Sequence, residues 1–229
     1  IMRRIVIKPL ILGFFILFLV FWGLFFKIVP FEFLDLGGDS AQYIILANSL
    51  VEGKGFRAVN YPGEPFCTSY PPVFPLILSP LIIFFGNNFY LMHLLIASLG
   101  FISLFLVYKI LKEYSDSTFA FFVTLLFAFN YRFIHFSMQR ILSDIPYLFF
   151  SMLTLSICIK YLEAKKVLAR EGIILLVVLT LSYLCRYLGL FLLLGLAILF
   201  LLKKEYRKLI FIVGSSVFIF SVWGIYGLL

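Results

Sequence analysis

Residues 170–208 read REGIILLVVLTLSYLCRYLGLFLLLGLAILFLLKKEYRK. Two apolar runs flank one charged residue, Arg186, and basic residues close both outer ends: Arg170 on one side, Lys203, Lys204, Arg207 and Lys208 on the other. A helix needs roughly 20 apolar residues to cross a bilayer, and loops left in the cytoplasm collect Lys and Arg. The stretch therefore reads as a membrane hairpin, 171–185 running outward and 187–202 returning, with Arg186 at its outer turn.

The same punctuation extends over the whole chain of 229 residues, 63% of them hydrophobic and 13% charged, with a mean hydropathy of +1.11. A soluble domain carries about a quarter charged residues, so the polar skin of a soluble protein is missing. Thirty Phe within continuous apolar runs suit lipid-facing helices, whereas the strands of a membrane barrel would alternate polar and apolar. The net charge of +8 sits in clusters between those runs, at Arg3, Arg4 and Lys8, at Lys109 and Lys112, at Lys160, Lys165, Lys166 and Arg170, and at Lys203 to Lys208. That is an orientation signal, and it argues against nucleic acid as a partner.

The clusters order the crossings. Residues 9–29 leave a cytoplasmic N-terminus, and with no small-residue cleavage site behind them they read as a retained anchor. The long polar stretch 30–71 is then external. Residues 89–110 return, 117–131 go out, a short loop at 132–144 is external, and 145–162 go in. The hairpin and an outward crossing at 209–229 complete the set. The segment 72–86 is short, with Pro72, Pro75 and Pro80. If it spanned, every later basic cluster would face outward, so it reads as an interfacial or re-entrant helix. The expectation is an all-α polytopic bundle of about seven spans, one transmembrane domain over 1–229. It has an external loop, 30–88, that carries amphipathic juxtamembrane helices. The chain stops at Leu229 within an apolar run, which suggests that the domain is incomplete at its C-terminus.

Within that loop Gly37 and Gly38 break the chain, and a helical pattern follows from Asp39 to Glu52. Ile45, Leu46, Ser49 and Leu50 share its expected apolar face. Gly53 and Gly55 end it, and six of the nine prolines fall between Pro62 and Pro80, which stiffens an irregular loop. Cys67, Cys158 and Cys185 form neither a disulfide framework nor a metal spacing.

The chemistry-bearing residues are few. Asp39 starts the surface helix, where it serves either as a helix cap paired with Gln42 or as a reactive carboxylate. Asp144 opens the crossing at 145–162 within Arg140-Ile-Leu-Ser-Asp-Ile-Pro. Carboxylates at membrane depth usually have a role, but an ion pair with Arg140 or a capping function with Ser143 also fits. The topology places both aspartates at one membrane face, where one can act as general base while the other positions substrate. Lys54, Arg57, Arg132, Arg140 and Arg186 are external cations able to neutralise a lipid phosphate. Arg186 equally fits snorkelling to the headgroups. Tyr43, Tyr61 and Tyr70 can line a sugar pocket or belong to the interfacial aromatic belt. His93 and His135 match no metal-ligand spacing.

Gly38-Asp39-Ser40-Ala41-Gln42-Tyr43, Ala47-Asn48-Ser49-Leu50, Glu52-Gly53-Lys54-Gly55-Phe56 and Tyr70-Pro71-Pro72-Val73-Phe74-Pro75-Leu76 follow one another in order. Together they resemble the first external loop of the GT-C glycosyltransferases, which include protein O-mannosyltransferases and lipid A aminoarabinose transferases. Arg140 to Phe150 resembles that family's second acidic loop, and Arg186 with Gly189 its Arg-containing turn. The likeness covers about residues 9–202. It implies inverting transfer of a hexose or pentose from a polyprenyl-phosphate donor to a protein, lipid or glycan acceptor. The expected location is the non-cytoplasmic face of a prokaryotic cytoplasmic membrane or a eukaryotic ER membrane. It also implies Asp39 as catalytic base and Asp144 as a second catalytic carboxylate; Tyr43, Arg57, Tyr70, Arg140 and Arg186 are the expected substrate contacts. No metal ligand is assigned and no cofactor is certain; a divalent cation stays open. Two departures stand out: Ser40 follows Asp39 where some relatives carry a second acidic residue, and relatives are about twice as long. The alternatives are a polytopic transporter or flippase and a non-catalytic membrane subunit.

Overall fold

The computed structural model describes the backbone of residues 2–29 and 38–226 and the side chains of 10–29 and 38–225. The external stretch expected at 30–71 therefore has its first part, Gly37 included, outside the described residues. The described residues form helices α1 (Met2–Ile28), α2 (Asp39–Val51), α3 (Val73–Phe85), α4 (Phe89–Tyr114), α5 (Ser117–Ala128), α6 (Tyr131–Met138), α7 (Asp144–Glu163), α8 (Arg170–Cys185), α9 (Gly189–Leu202) and α10 (Tyr206–Tyr226). No strand occurs among them, as an all-helical membrane protein requires.

Helix direction follows from the contacts. Phe14 stacks against Phe105, while Phe25, further along α1, meets Tyr90. The start of α1 thus lies beside the end of α4, and the two helices are antiparallel. At that same end the buried Lys208 of α10 donates to the Leu162 carbonyl of α7 at 3.1 Å. At the opposite end Trp223 of α10 donates to Tyr187, beyond the end of α8, at 3.2 Å. The basic clusters at Lys109 and Lys112, Lys160 to Arg170 and Lys203 to Lys208 therefore collect at one end. Asp39, Asp144 and Arg186 collect at the other.

Among the described residues four helices are long and apolar enough to cross a membrane: Leu10–Ile28, Phe89–Tyr114, Asp144–Glu163 and Tyr206–Ile225. The bent pair of α5 and α6, counted as one span, brings the total to five. Their outward surfaces are large and apolar, with Phe15, Phe26, Phe122, Phe218 and Val222 all more than a third exposed, as lipid contact demands. A 14-residue helix rises only about 21 Å, so α9 (14 residues) is short against a hydrocarbon core of ~30 Å. A total of seven spans requires the shorter α5, α8 and α9 to cross as well.

Three local expectations are corrected. The loop expected at 132–144 contains α6, an amphipathic turn of helix bent 62° from α5. Asn130 caps it by accepting from the Arg132 and Phe133 amides, so the chain restarts a helix rather than looping. The buried face of α2 is broader than expected: Tyr43, Ile44 and Ala47 join Leu46 and Ser49, whereas Ile45 and Leu50 are only half-buried. The reason is that α2 packs against α3, and Tyr43, Ile44 and Ala47 join the buried core. The proline-rich loop is also more ordered than irregular. The Ala58 amide donates to the Pro65 carbonyl at 2.9 Å and the Cys67 amide to the Phe56 carbonyl at 3.0 Å, closing a small hairpin. Its entry needs the left-handed backbone of Gly53 and Gly55, at φ of 73° and 79°.

Candidate active site

The site lies where four pieces of chain meet: the start of α2, the residues before α3, the start of α7 and the turn between α8 and α9. A cavity of about 520 Å³ opens there, lined by Asp39, Tyr43, Tyr70, Leu142, Arg186 and Tyr187 among others.

Gly38 takes a φ of 58°, and α2 begins at Asp39 with no side-chain capping bond. The capping pair with Gln42 is therefore absent. The Gln42 side chain accepts instead from Asn60 at 3.3 Å, because the loop folds over it. The Asp39 carboxylate is left exposed at the cavity, where the Tyr70 hydroxyl donates to its Oδ1 at 2.6 Å. That bond to a negative charge, together with partial burial, drives the Tyr70 phenol above its ordinary range.

Tyr43, one turn beyond Asp39, is buried. Its hydroxyl bonds Ser143 Oγ at 2.8 Å, and its ring meets Tyr70 edge-on at 5.0 Å and Phe74 at 4.9 Å. Burial pushes its phenol up to about 12, partly offset by the bond to Ser143. Since Ser143 Oγ is engaged with Tyr43, it does not cap α7. The Asp144 carboxylate pairs with Arg186 rather than with Arg140. Arg140 precedes the first turn of α7, so the helical four-residue spacing on which that pair depended does not apply. Arg186 is thus an ion-paired residue at the cavity, not a lone snorkelling one.

The turn that carries Arg186 is tight for an identifiable reason. A Cβ on Gly189 would lie 2.5 Å from the Tyr183 Cα and 2.7 Å from its nitrogen, so only glycine lets α9 start so close to α8. Tyr187, next along, donates its hydroxyl to the Thr68 carbonyl and accepts from Trp223, tying the turn to the loop and to α10.

Of the residues singled out from the sequence, Asp39, Tyr43, Tyr70 and Arg186 line the cavity, and Asp144 reaches it through Arg186. Arg57 lies elsewhere. Its guanidinium sits 4.0 Å over the Phe66 ring and donates to the Glu64 carbonyl at 3.0 Å, bracing the loop hairpin. Lys54 pairs with Glu52 and Glu64, which raises its ammonium pKa. Arg140 is half-buried and is not in the lining, and Arg132 and Tyr61 are exposed. His93 is buried in α4, while His135 stacks on Tyr131 and bonds Gln139. Among the described residues no three His, Cys, Asp or Glu side chains group as a metal site. Tyr187 was not singled out, and Ser143 was weighed only as a helix cap. Only tertiary contacts bring Ser143 to Tyr43 and Tyr187 to Thr68 and Trp223.

A family model described as dolichyl-phosphate-mannose-protein mannosyltransferase matches residues 69–226. The match takes in Tyr70, Asp144 and Arg186 and begins after Asp39. No curated protein and no solved structure matches the chain.

Proposed function

Because the chain belongs to the dolichyl-phosphate-mannose-protein mannosyltransferase family, we propose that its cavity transfers a sugar, mannose first among candidates, from a polyprenyl-phosphate donor to an acceptor hydroxyl. Family membership makes it an integral membrane glycosyltransferase and sets aside the transporter alternative. The finer assignments are a proposal. The observation that carries them is that the Asp39 carboxylate and the Arg186 guanidinium line one cavity, at the end opposite the basic clusters.

In this reading Asp39 removes the proton from the acceptor hydroxyl as its oxygen attacks the anomeric carbon. The bond from that carbon to the lipid phosphate breaks, and its electron pair leaves with the phosphate. One displacement inverts the anomeric centre. Arg186 stabilises the departing phosphate, since a guanidinium carries five N–H donors and one carboxylate does not occupy them all. Asp144 holds that guanidinium in place. The cavity suits an amphipathic donor: its polar wall comes from the loop and α2, and its apolar wall from Leu188, Leu190 and Phe191, all of them exposed. By the positive-inside rule the cavity end is non-cytoplasmic.

The test is sugar transfer from a tritiated polyprenyl-phosphate-mannose in membranes carrying wild type or Asp39→Asn. The amide fills the same volume but cannot take a proton, so label should reach acceptors with wild type and fall by at least about a hundredfold with the variant. Equal transfer by a folded Asp39→Asn protein would remove Asp39 from the mechanism.

A further inference from the structure

We infer that Tyr70 is a positioning residue, whose hydroxyl holds one oxygen of the Asp39 carboxylate and leaves the other for the acceptor's proton. The inference rests on Asp39 being the base, and it assigns Tyr70 a part other than that of a sugar-contacting wall.

Asp39 is exposed on the first turn of α2, where a short side chain turns freely unless something holds it. Among the described residues its hydrogen-bond partner is Tyr70, at 2.6 Å. A base is effective only if its lone pair lies within hydrogen-bond reach of the departing proton, so orienting the carboxylate bears directly on the chemical step. Tyr70 is itself well fixed. Its ring meets Tyr43 edge-on at 5.0 Å, Tyr43 is anchored on Ser143 at 2.8 Å and Phe74 at 4.9 Å, and Pro71 and Pro72 stiffen the chain that follows. A continuous set of contacts thus runs from the start of α7 through α2 to the carboxylate. A phenol is protonated throughout the neutral range, so Tyr70 is the donor in this bond and the carboxylate the acceptor. A wall residue needs none of this. It would offer its hydroxyl to the substrate, whereas this hydroxyl's proton is already given to Asp39.

Tyr70→Phe keeps the ring and its edge contact and deletes a single oxygen. Steady-state transfer is measured with tritiated polyprenyl-phosphate-mannose in membranes carrying each protein and normalised to folded protein by fluorescence-detected gel filtration. Losing one charge-assisted bond to the base predicts a kcat lowered roughly tenfold, with the donor KM within about twofold of wild type. Tyr70→Phe with unchanged kcat would overturn the inference. So would a loss carried by a raised donor KM, which is the signature of a substrate-contacting wall. Asp39→Asn separates the two levels. If it keeps wild-type kcat, the base assignment falls and positioning falls with it. If it is inactive while Tyr70→Phe is unimpaired, positioning alone falls.

Discussion

The Asp144–Arg186 pair supplies the most discriminating prediction. If Asp144 acts through Arg186, removing its charge should cost what the pair contributes to holding the guanidinium, and no more. The Asp144 side chain is 27% exposed and that of Arg186 36%. The pair therefore falls between surface ion pairs, worth about 0–1 kcal/mol, and buried ones, where losing one partner costs about 3–5 kcal/mol. Asp144→Asn keeps an oxygen that can accept from Arg186 and loses only the charge, for roughly 1 kcal/mol and about a fivefold fall in kcat. Asp144→Ala removes the acceptor altogether, for roughly 2 kcal/mol and about a thirtyfold fall. The assay is steady-state transfer at saturating donor, with melting temperatures to confirm that both variants are folded. Two results would refute the reasoning. Full activity in Asp144→Ala would mean that the guanidinium needs no holding. A thousandfold loss in Asp144→Asn, matching Asp39→Asn, would place Asp144 in the proton transfer itself.

Two further outcomes test the frame around the site. Gly189→Ala drives a methyl group into the Tyr183 backbone 2.5 Å away, which should destabilise the α8–α9 turn by about 1–3 kcal/mol; a melting temperature within a degree of wild type would contradict this close approach. The native cysteines report orientation, since Cys67 is half-exposed in the loop while Cys158 and Cys185 are buried. A membrane-impermeant maleimide should label Cys67 in intact cells, and should label Lys166→Cys in a Cys67→Ser background only after permeabilisation. The reverse order would invert the topology.

The bundle could be read from the sequence because lipid removes most alternatives. Without water, every backbone group in the hydrocarbon must be bonded within a helix, so apolar runs bounded by Lys and Arg convert almost directly into helices with direction. Residues 170–208 became the α8–α9 hairpin for that reason. Partner choice was not legible. Asp144 had Arg140 four residues away and Arg186 forty-two away, and spacing alone favours the near one. The far one wins because Arg140 falls outside the helix while the Gly189 turn brings Arg186 onto the start of α7. Capping misled in the same way. Ser143 and Asp39 are the residue types that cap helices, yet Tyr43 takes the first and Tyr70 engages the second.

Those two tyrosines explain how similar carboxylates can serve different ends. Asp144 is half-buried and engaged in an ion pair with Arg186, so its carboxylate is committed to holding that guanidinium. Asp39 is exposed and has a neutral partner, the Tyr70 phenol, in place of a cation. The division of labour thus rests on the partner each aspartate meets, and the partners come from the same end of the bundle. Tyr43 links the two by bonding Ser143, next to Asp144, while its ring supports Tyr70. Loosening Tyr43 should therefore disturb both carboxylates at once, which is why the buried residue between them matters as much to the site as the two it separates.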